Sequence, residues 1–238
     1  MKEQYKSEDQ YIKLTETVNK KIKLLVEQIS GDFRNIVSFI KGYTIHEPLG
    51  NHYEPNISSN EVISSITMNL QYQDILSQRL DHISQINALI IQELKITEHA
   101  NDGTTELITH ASKIAEVNIR QLEDAYNEYI SICSILRKDL DKFEKQNRLK
   151  NSNNLSSFIP FKNSLKIGTL VSEIKQNLEL MVSINFEVSD SSQSLGQAAM
   201  RIQSIYTMQS ERDILYSCIP DMQEKYRITY NNDNDIFF

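Results

Sequence analysis

The chain has 238 residues, of which only 6 are glycine and 4 are proline, and its formal net charge at pH 7 is -7. So few glycines and prolines exclude a fold with many short strands and tight turns, and they favour long helices. The acidic balance excludes nucleic acid as a general partner, because affinity for phosphate backbones comes chiefly from lysine and arginine.

Apolar residues recur at intervals of three and four along most of the chain, which is the spacing of one face of an α-helix. The first pattern predicts a helix from about residue 9 to 41, followed by a loop that contains proline and glycine. A second pattern predicts a helix over about 59–98, and a third predicts one over about 104–146. The break between these two helices is short, so they are expected to form an antiparallel hairpin.

A last pattern predicts a fourth helix from about residue 163 to 216, after a polar linker. Four long helices with one tight turn and two longer connections predict an all-α fold, an elongated antiparallel four-helix bundle built from two long helical hairpins. This bundle is expected to occupy residues 1–220. Residues 221–238 are expected to form a flexible acidic tail that ends in two phenylalanines.

The second helix carries a dense polar stretch, residues 70–83, with the sequence LQYQDILSQRLDHI. The leucines of this stretch continue the apolar stripe, so Asp74 and Gln78 fall outside it and are predicted to be exposed. Because they are four residues apart, they project from one face a turn apart and can act on one bound group. Gln73 falls within the stripe, where a polar residue weakens packing and sets the pairing of helices.

Cysteine usage and hydropathy predict where the protein is found. Cys133 and Cys218 are far apart in the sequence and form no metal-binding or disulfide pattern, which favours the reducing cytoplasm. The richest apolar run, residues 88–91, is far shorter than the roughly 20 residues that a membrane span requires. Neither membrane insertion nor a cofactor of the protein's own is expected.

Several catalytic classes lack their sequence patterns. No glutamate is followed by histidine at the Glu-x-x-His spacing of di-metal helical bundles, so no metal site is predicted. The patterns of Cys/His nucleophiles and of glycine-rich phosphate loops are also missing. His110 begins a sequence that resembles the His-x-x-Lys-Gly motif of histidine phosphotransfer bundles, although Ile114 replaces the small residue. His82 and His99 are predicted to be surface residues.

Residues 73–78, QDILSQ, resemble the Gln-Asp-Leu-Thr-Gly-Gln signature of the CheZ-type chemotaxis phosphatases. Those phosphatases are long helical hairpins that dimerise into a four-helix bundle. The wider pattern, Leu-Gln-Tyr/Phe-Gln-Asp followed by Gln-Arg-Leu-Asp/Glu-His, is similar to CheZ-like bacterial signalling proteins. Residues 206–212, YTMQSER, and the acidic, Phe-ended C-terminus are similar to further segments of those proteins, in the same order.

The resemblance implies a phosphatase that removes the aspartyl phosphate from a phosphorylated response regulator of the CheY type, with Mg²⁺ held by the regulator. It implies that Gln78 positions the attacking water and that Asp74 pairs with a lysine of the regulator. It also implies a homodimer. The residues expected to contact the regulator are Gln71, Asp81, Asp233, Asp235, Ile236, Phe237 and Phe238.

Two alternatives remain open from the sequence. A non-catalytic helical adaptor could bind response regulators or receptor signalling bundles through the same face of the second helix. Phosphotransfer through His110 is the third hypothesis. A phosphatase accelerates phosphate loss from the regulator, whereas an adaptor binds it without acceleration. A phosphotransfer protein becomes an acid-labile phosphoprotein.

Overall fold

The computed structural model describes residues 2–44, 57–99, 108, 110–148, 161–184, 186 and 196–220. Within these ranges the chain is almost entirely α-helical and has no strand, which confirms the predicted all-α helical bundle. The helices are α1 (Lys2–Thr44), α2 (Ile57–His99), α3 (Ala111–Arg148), α4 (Ser164–Val182), α5 (Gly196–Ile205) and α6 (Gln209–Cys218).

The prediction of one continuous helix over residues 163–216 is wrong, because α4, α5 and α6 occupy this stretch. Helix α4 ends at Val182, and the hydroxyl of Ser183 donates to the carbonyl of Leu180 at 2.7 Å. A serine side chain that bonds the last turn in this way competes with the backbone bonds that would continue a helix. The break between α5 and α6 has a different cause, which involves Glu211 and is described with the site.

The chain forms two compact units, and each of the helices α1 to α4 contributes a segment to both. The first unit takes its residues from Met1–Lys20, Asp81–Glu123 and Ile174–Phe238, so far as the structure describes them. The second unit takes its residues from Lys21–Leu80 and Asp124–Glu173. Helices α5 and α6 belong to the first unit alone.

The second unit packs segments of four helices around an apolar core. As α2 advances along the chain, its polar contacts move backwards along α3, so this pair is antiparallel, as predicted. Contacts between α1 and α4 follow the same order and define a second antiparallel pair. The contacts are Ser65–Asp139, Arg79–Asp124, Lys21–Glu173 and Asp32–Asn163.

The core of the first unit contains a chain of three asparagines. Asn87 on α2 is fully buried and donates to Asn19 on α1 at 3.1 Å, while Asn118 on α3 donates to Asn87 at 3.0 Å. Asn19 in turn donates to the carbonyl of Ser84 at 3.4 Å. These amides link three helices in the core of the first unit, where an unpaired polar group would be costly.

Gly31, inside α1, tests how much backbone freedom limits stability. A Cβ atom placed there would meet Asn163 at 3.6 Å, an ordinary van der Waals contact. We therefore expect Gly31→Ala to raise the free energy of unfolding by about 0.5–1 kcal/mol in urea unfolding. Gly168→Ala is the matched control and should gain less, because its Cβ would lie only 3.1 Å from the Tyr126 hydroxyl. An equal gain at both sites would contradict this explanation.

Candidate functional site

In the second unit, α2 presents Gln71, Asp74 and Gln78 as exposed side chains. Their spacing of three and four residues places them on one side of the helix. Met68 lies on the same side and is 62% exposed, an unusual degree of exposure for a large apolar side chain. The predicted exposure of Asp74 and Gln78 is confirmed. This face therefore offers an acid and an amide a turn apart, with an apolar contact point beside them.

The opposite side of the same helical turns packs against the rest of the second unit. Leu76 and Leu80 are almost completely buried. Gln73 is partly buried and donates from its side-chain amide to the hydroxyl of Ser30 on α1 at 3.2 Å. As the apolar stripe predicts, Gln73 therefore lies at the interface between α2 and α1, whereas Gln78 is exposed.

Arg79 follows Gln78 in the chain but is buried, with its side chain only 3% exposed. Its Nη1 donates to Glu128 at 2.7 Å, and its Nη2 donates to the carboxylate of Asp124. The two acids lie four residues apart on α3 and so share one face of that helix. An apolar pattern does not predict a buried arginine, because the acids that neutralise it are 49 and 45 residues away in the chain.

Asp81 belongs to the first unit and is exposed, and its carboxylate accepts a hydrogen bond from Gln85 at 2.7 Å. The structure therefore brings Gln71, Asp74 and Gln78 together on one face of the second unit. The remaining predicted contact residues and the tail to which they belong lie outside the described residues. They are Asp233, Asp235, Ile236, Phe237 and Phe238.

The prediction that His82 is a surface residue is wrong, because its side chain is buried in the first unit. Its Nδ1 lies 2.8 and 3.1 Å from the two carboxylate oxygens of Glu211 on α6. The Tyr206 ring packs edge-on against the imidazole, with the ring centroids 6.3 Å apart. A buried polar side chain is tolerated when it has a hydrogen-bonding partner. The partner of His82 is Glu211, which lies 129 residues further along the chain. The side chain of His99 lies outside the described ones.

Residues 206–212 form the joint between α5 and α6. Glu211 accepts from the backbone N–H of Met208 at 3.2 Å and so satisfies a free donor at the start of α6. Arg212 donates to the carbonyl of Tyr206 at 3.0 Å, which closes the joint. Gln121 on α3 donates to the backbone carbonyl of Glu211 at 2.8 Å. The contacts of this segment are those of a packing element, and they explain why the predicted fourth helix is interrupted here.

A second buried acid, Asp32, lies in the core of the second unit. Its carboxylate accepts from the Tyr129 hydroxyl at 3.2 Å and from the side-chain amide of Asn163 at 2.9 Å. Burial raises the pKa of Asp32, and these hydrogen bonds oppose the shift. Burial also raises the pKa of the neighbouring Cys133 thiol to about 12. Because the thiolate is the reactive form of cysteine, Cys133 is a packing residue rather than a nucleophile.

Asp32 makes stability depend on pH. Its folded-state pKa is raised above the ordinary value of 3.8, so in that range the folded protein binds the proton more tightly than the unfolded chain. Its contribution to stability is complete below about pH 4 and is lost as the pH rises through the folded pKa. We expect the Tm of Asp32→Asn, relative to wild type, to increase between about pH 4 and pH 7. A difference that stays constant across this range would contradict the assignment.

His110 lies directly before α3 and is partly buried, and its carbonyl accepts the backbone bond of Ile114 at 2.9 Å. In the part of the chain that the structure describes, no group of three or more His, Cys, Asp or Glu residues could hold a metal ion. Cys133 and Cys218 are both free thiols. None of the helices in the described ranges combines the length and apolar character needed to cross a membrane.

A scan against protein-family models, a search of curated proteins and a search of solved structures each found no match to this chain. The fold and site define an all-α helical bundle with an exposed acid and amide on α2. The resemblance of residues 73–78 to the CheZ-type signature is therefore supported by the amino-acid sequence alone.

Proposed function

We propose that this protein is a CheZ-like phosphatase that accelerates hydrolysis of the aspartyl phosphate of a CheY-type response regulator in bacterial two-component signalling. The observation that carries the proposal is the exposed pair of Asp74 and Gln78, a turn apart on α2. Both side chains extend from a packed helix, and a helix holds functional groups more precisely than a loop does. The proposed site therefore combines access with a fixed backbone.

The main task of the phosphatase is to place a water molecule in line with the phosphorus atom. A response regulator of this type supplies the aspartyl phosphate, the Mg²⁺ ion and a charge-stabilising lysine. The amide of Gln78 can donate and accept hydrogen bonds at once, so it can orient a water in line with phosphorus without acting as a strong base. Correct orientation of the attacking group can by itself account for a large acceleration.

The proposal also includes the contacts by which the response regulator would bind to the protein. Asp74 would pair with the lysine of the regulator, and a charge-assisted hydrogen bond of this kind fixes orientation as well as adding affinity. Gln71 would contribute a further polar contact on the same face of α2. The Phe-ended tail would bind the regulator separately and raise its effective concentration at the helix. We place this activity in the cytoplasm, with a homodimer as the assembly that the resemblance implies.

The decisive experiment follows phosphate loss from a CheY-type receiver domain labelled with radioactive acetyl phosphate in the presence of Mg²⁺. The purified protein should accelerate the loss, the rate should saturate with protein concentration, and Gln78→Ala should remove the acceleration. Unchanged decay with the wild-type protein would reject the phosphatase. Binding of the receiver domain without faster decay would identify an adaptor instead.

A separate experiment addresses phosphotransfer. The protein is incubated with a histidine kinase and labelled ATP and then tested for acid-labile phosphate. The proposed function predicts no label that depends on His110. Label in the wild-type protein that disappears in His110→Ala would favour the phosphotransfer alternative.

A further inference from the structure

We infer that Arg79 is a positioning residue for Asp74 and Gln78, an inference that rests on the proposed phosphatase activity. Arg79 directly follows Gln78 and joins α2 to α3 through two acids, with Nη1 bonded to Glu128 at 2.7 Å and Nη2 bonded to Asp124. Gln73 directly precedes Asp74 and joins α2 to α1 at 3.2 Å. Polar contacts to two different helices therefore bracket the turn that carries the proposed site.

Arg79 constrains α2 more tightly than a single hydrogen bond would. Its two terminal nitrogens bind acids that lie a turn apart on α3, so sliding of α2 along α3 stretches at least one of the two bonds. A slip of one residue moves the helix by about 1.5 Å along its axis. Displacements of about 1 Å at a reacting group can cost about 100-fold in rate. Since Gln78 shares a peptide bond with Arg79, its backbone follows the guanidinium anchor.

The buried guanidinium of Arg79 is not fully hydrogen-bonded. Its Nε is buried without a hydrogen-bond partner. The side chains of Asp124 and Glu128 are 52% and 30% exposed, so water can solvate both acids if the arginine is removed. Removing one member of an ion pair is costly where it leaves the other charge buried, and these acids keep access to water. A structural arginine here would therefore be replaceable by methionine, whereas a positioning arginine would not.

The test compares Arg79→Met and Arg79→Lys with wild type in the phosphatase assay and in thermal unfolding. We expect Arg79→Met to keep or raise the Tm while its kcat falls about 10- to 100-fold, with a much smaller change in KM. Arg79→Lys should be intermediate, because an ammonium group cannot reproduce the planar two-pronged contact. Wild-type kcat in Arg79→Met, or a fall in kcat that only parallels a fall in Tm, would overturn the inference.

Two further variants separate positioning from general packing. Ser65→Ala removes the 2.6 Å bond to Asp139, another contact between α2 and α3 in the same unit, and should leave kcat unchanged. Adding Asp124→Asn and Glu128→Gln to Arg79→Met should lower kcat no further, because the contacts of the guanidinium are already lost in Arg79→Met. A wild-type protein without phosphatase activity would reject the proposed function, and the inference with it. An active wild type with equally active arginine variants would reject the inference alone.

Discussion

Replacing His82 by leucine is expected to lower the free energy of unfolding by about 3–5 kcal/mol. The Glu211 carboxylate is fully buried, and both of its oxygens lie within 3.1 Å of the imidazole Nδ1. Leucine would leave this acid buried with no side-chain partner from α2, and removal of one member of a buried pair costs more than the pair contributes. Urea unfolding followed by circular dichroism measures the loss.

A second variant tests whether the buried carboxylate is the cause. In the double variant His82→Leu with Glu211→Gln, the amide keeps an oxygen for the Met208 N–H but removes the charge. It should therefore recover part of the stability that His82→Leu alone loses, a non-additive result expected for residues in contact. Gln85→Leu, at an exposed position of the same helix, should change stability by less than about 0.5 kcal/mol. A loss below about 1 kcal/mol in His82→Leu would contradict the assignment.

Replacing Gln78 by alanine is expected to lower kcat for dephosphorylation of the regulator by about 100-fold or more. The variant removes the group proposed to orient the water, and loss of one well-placed hydrogen-bonding group at a reacting centre typically costs about 10²–10³ in rate. The fold should be unaffected, because Gln78 is exposed on α2 and alanine favours the helix. Single-turnover decay at saturating protein concentration measures the effect.

Neighbouring variants distinguish catalysis from docking. Gln71→Ala is the matched control, an exposed amide on the same face of α2, and should leave kcat within about threefold of wild type. Asp74→Ala should mainly raise KM, since it removes an interaction made in both the bound complex and the transition state. If Gln78→Ala raised KM without lowering kcat, Gln78 would be a docking residue rather than a water-positioning one.

The sequence pattern predicts the helical bundle and the exposure of Asp74 and Gln78, because both follow from the local spacing of apolar residues. It does not predict the burial of Arg79 and His82. Their partners come from elsewhere in the chain, and only the packed fold shows that a charged side chain has a compensating contact. An exposed polar residue and a buried, paired one look alike in a single sequence.

The break between α5 and α6 was missed for a related reason. No glycine or proline marks residues 206–208, so the helical spacing appears continuous there. The helix instead stops because Glu211 bonds the backbone N–H of Met208 and is itself held by His82. A tertiary contact thus selects a helix start that local propensity does not.

The asparagine chain in the first unit has a consequence for how the helices align. Sliding α2 by one heptad, about 10.5 Å, would place Leu80 or Leu94 opposite Asn19 and Asn118 in place of Asn87. Asn118 would then be buried without its partner, at a cost of about 1–3 kcal/mol, and the partly buried Asn19 would lose its bond to Asn87. A helix interface made only of leucines would pack in much the same way before and after such a shift. The three amides therefore fix the axial register of α1, α2 and α3 relative to one another.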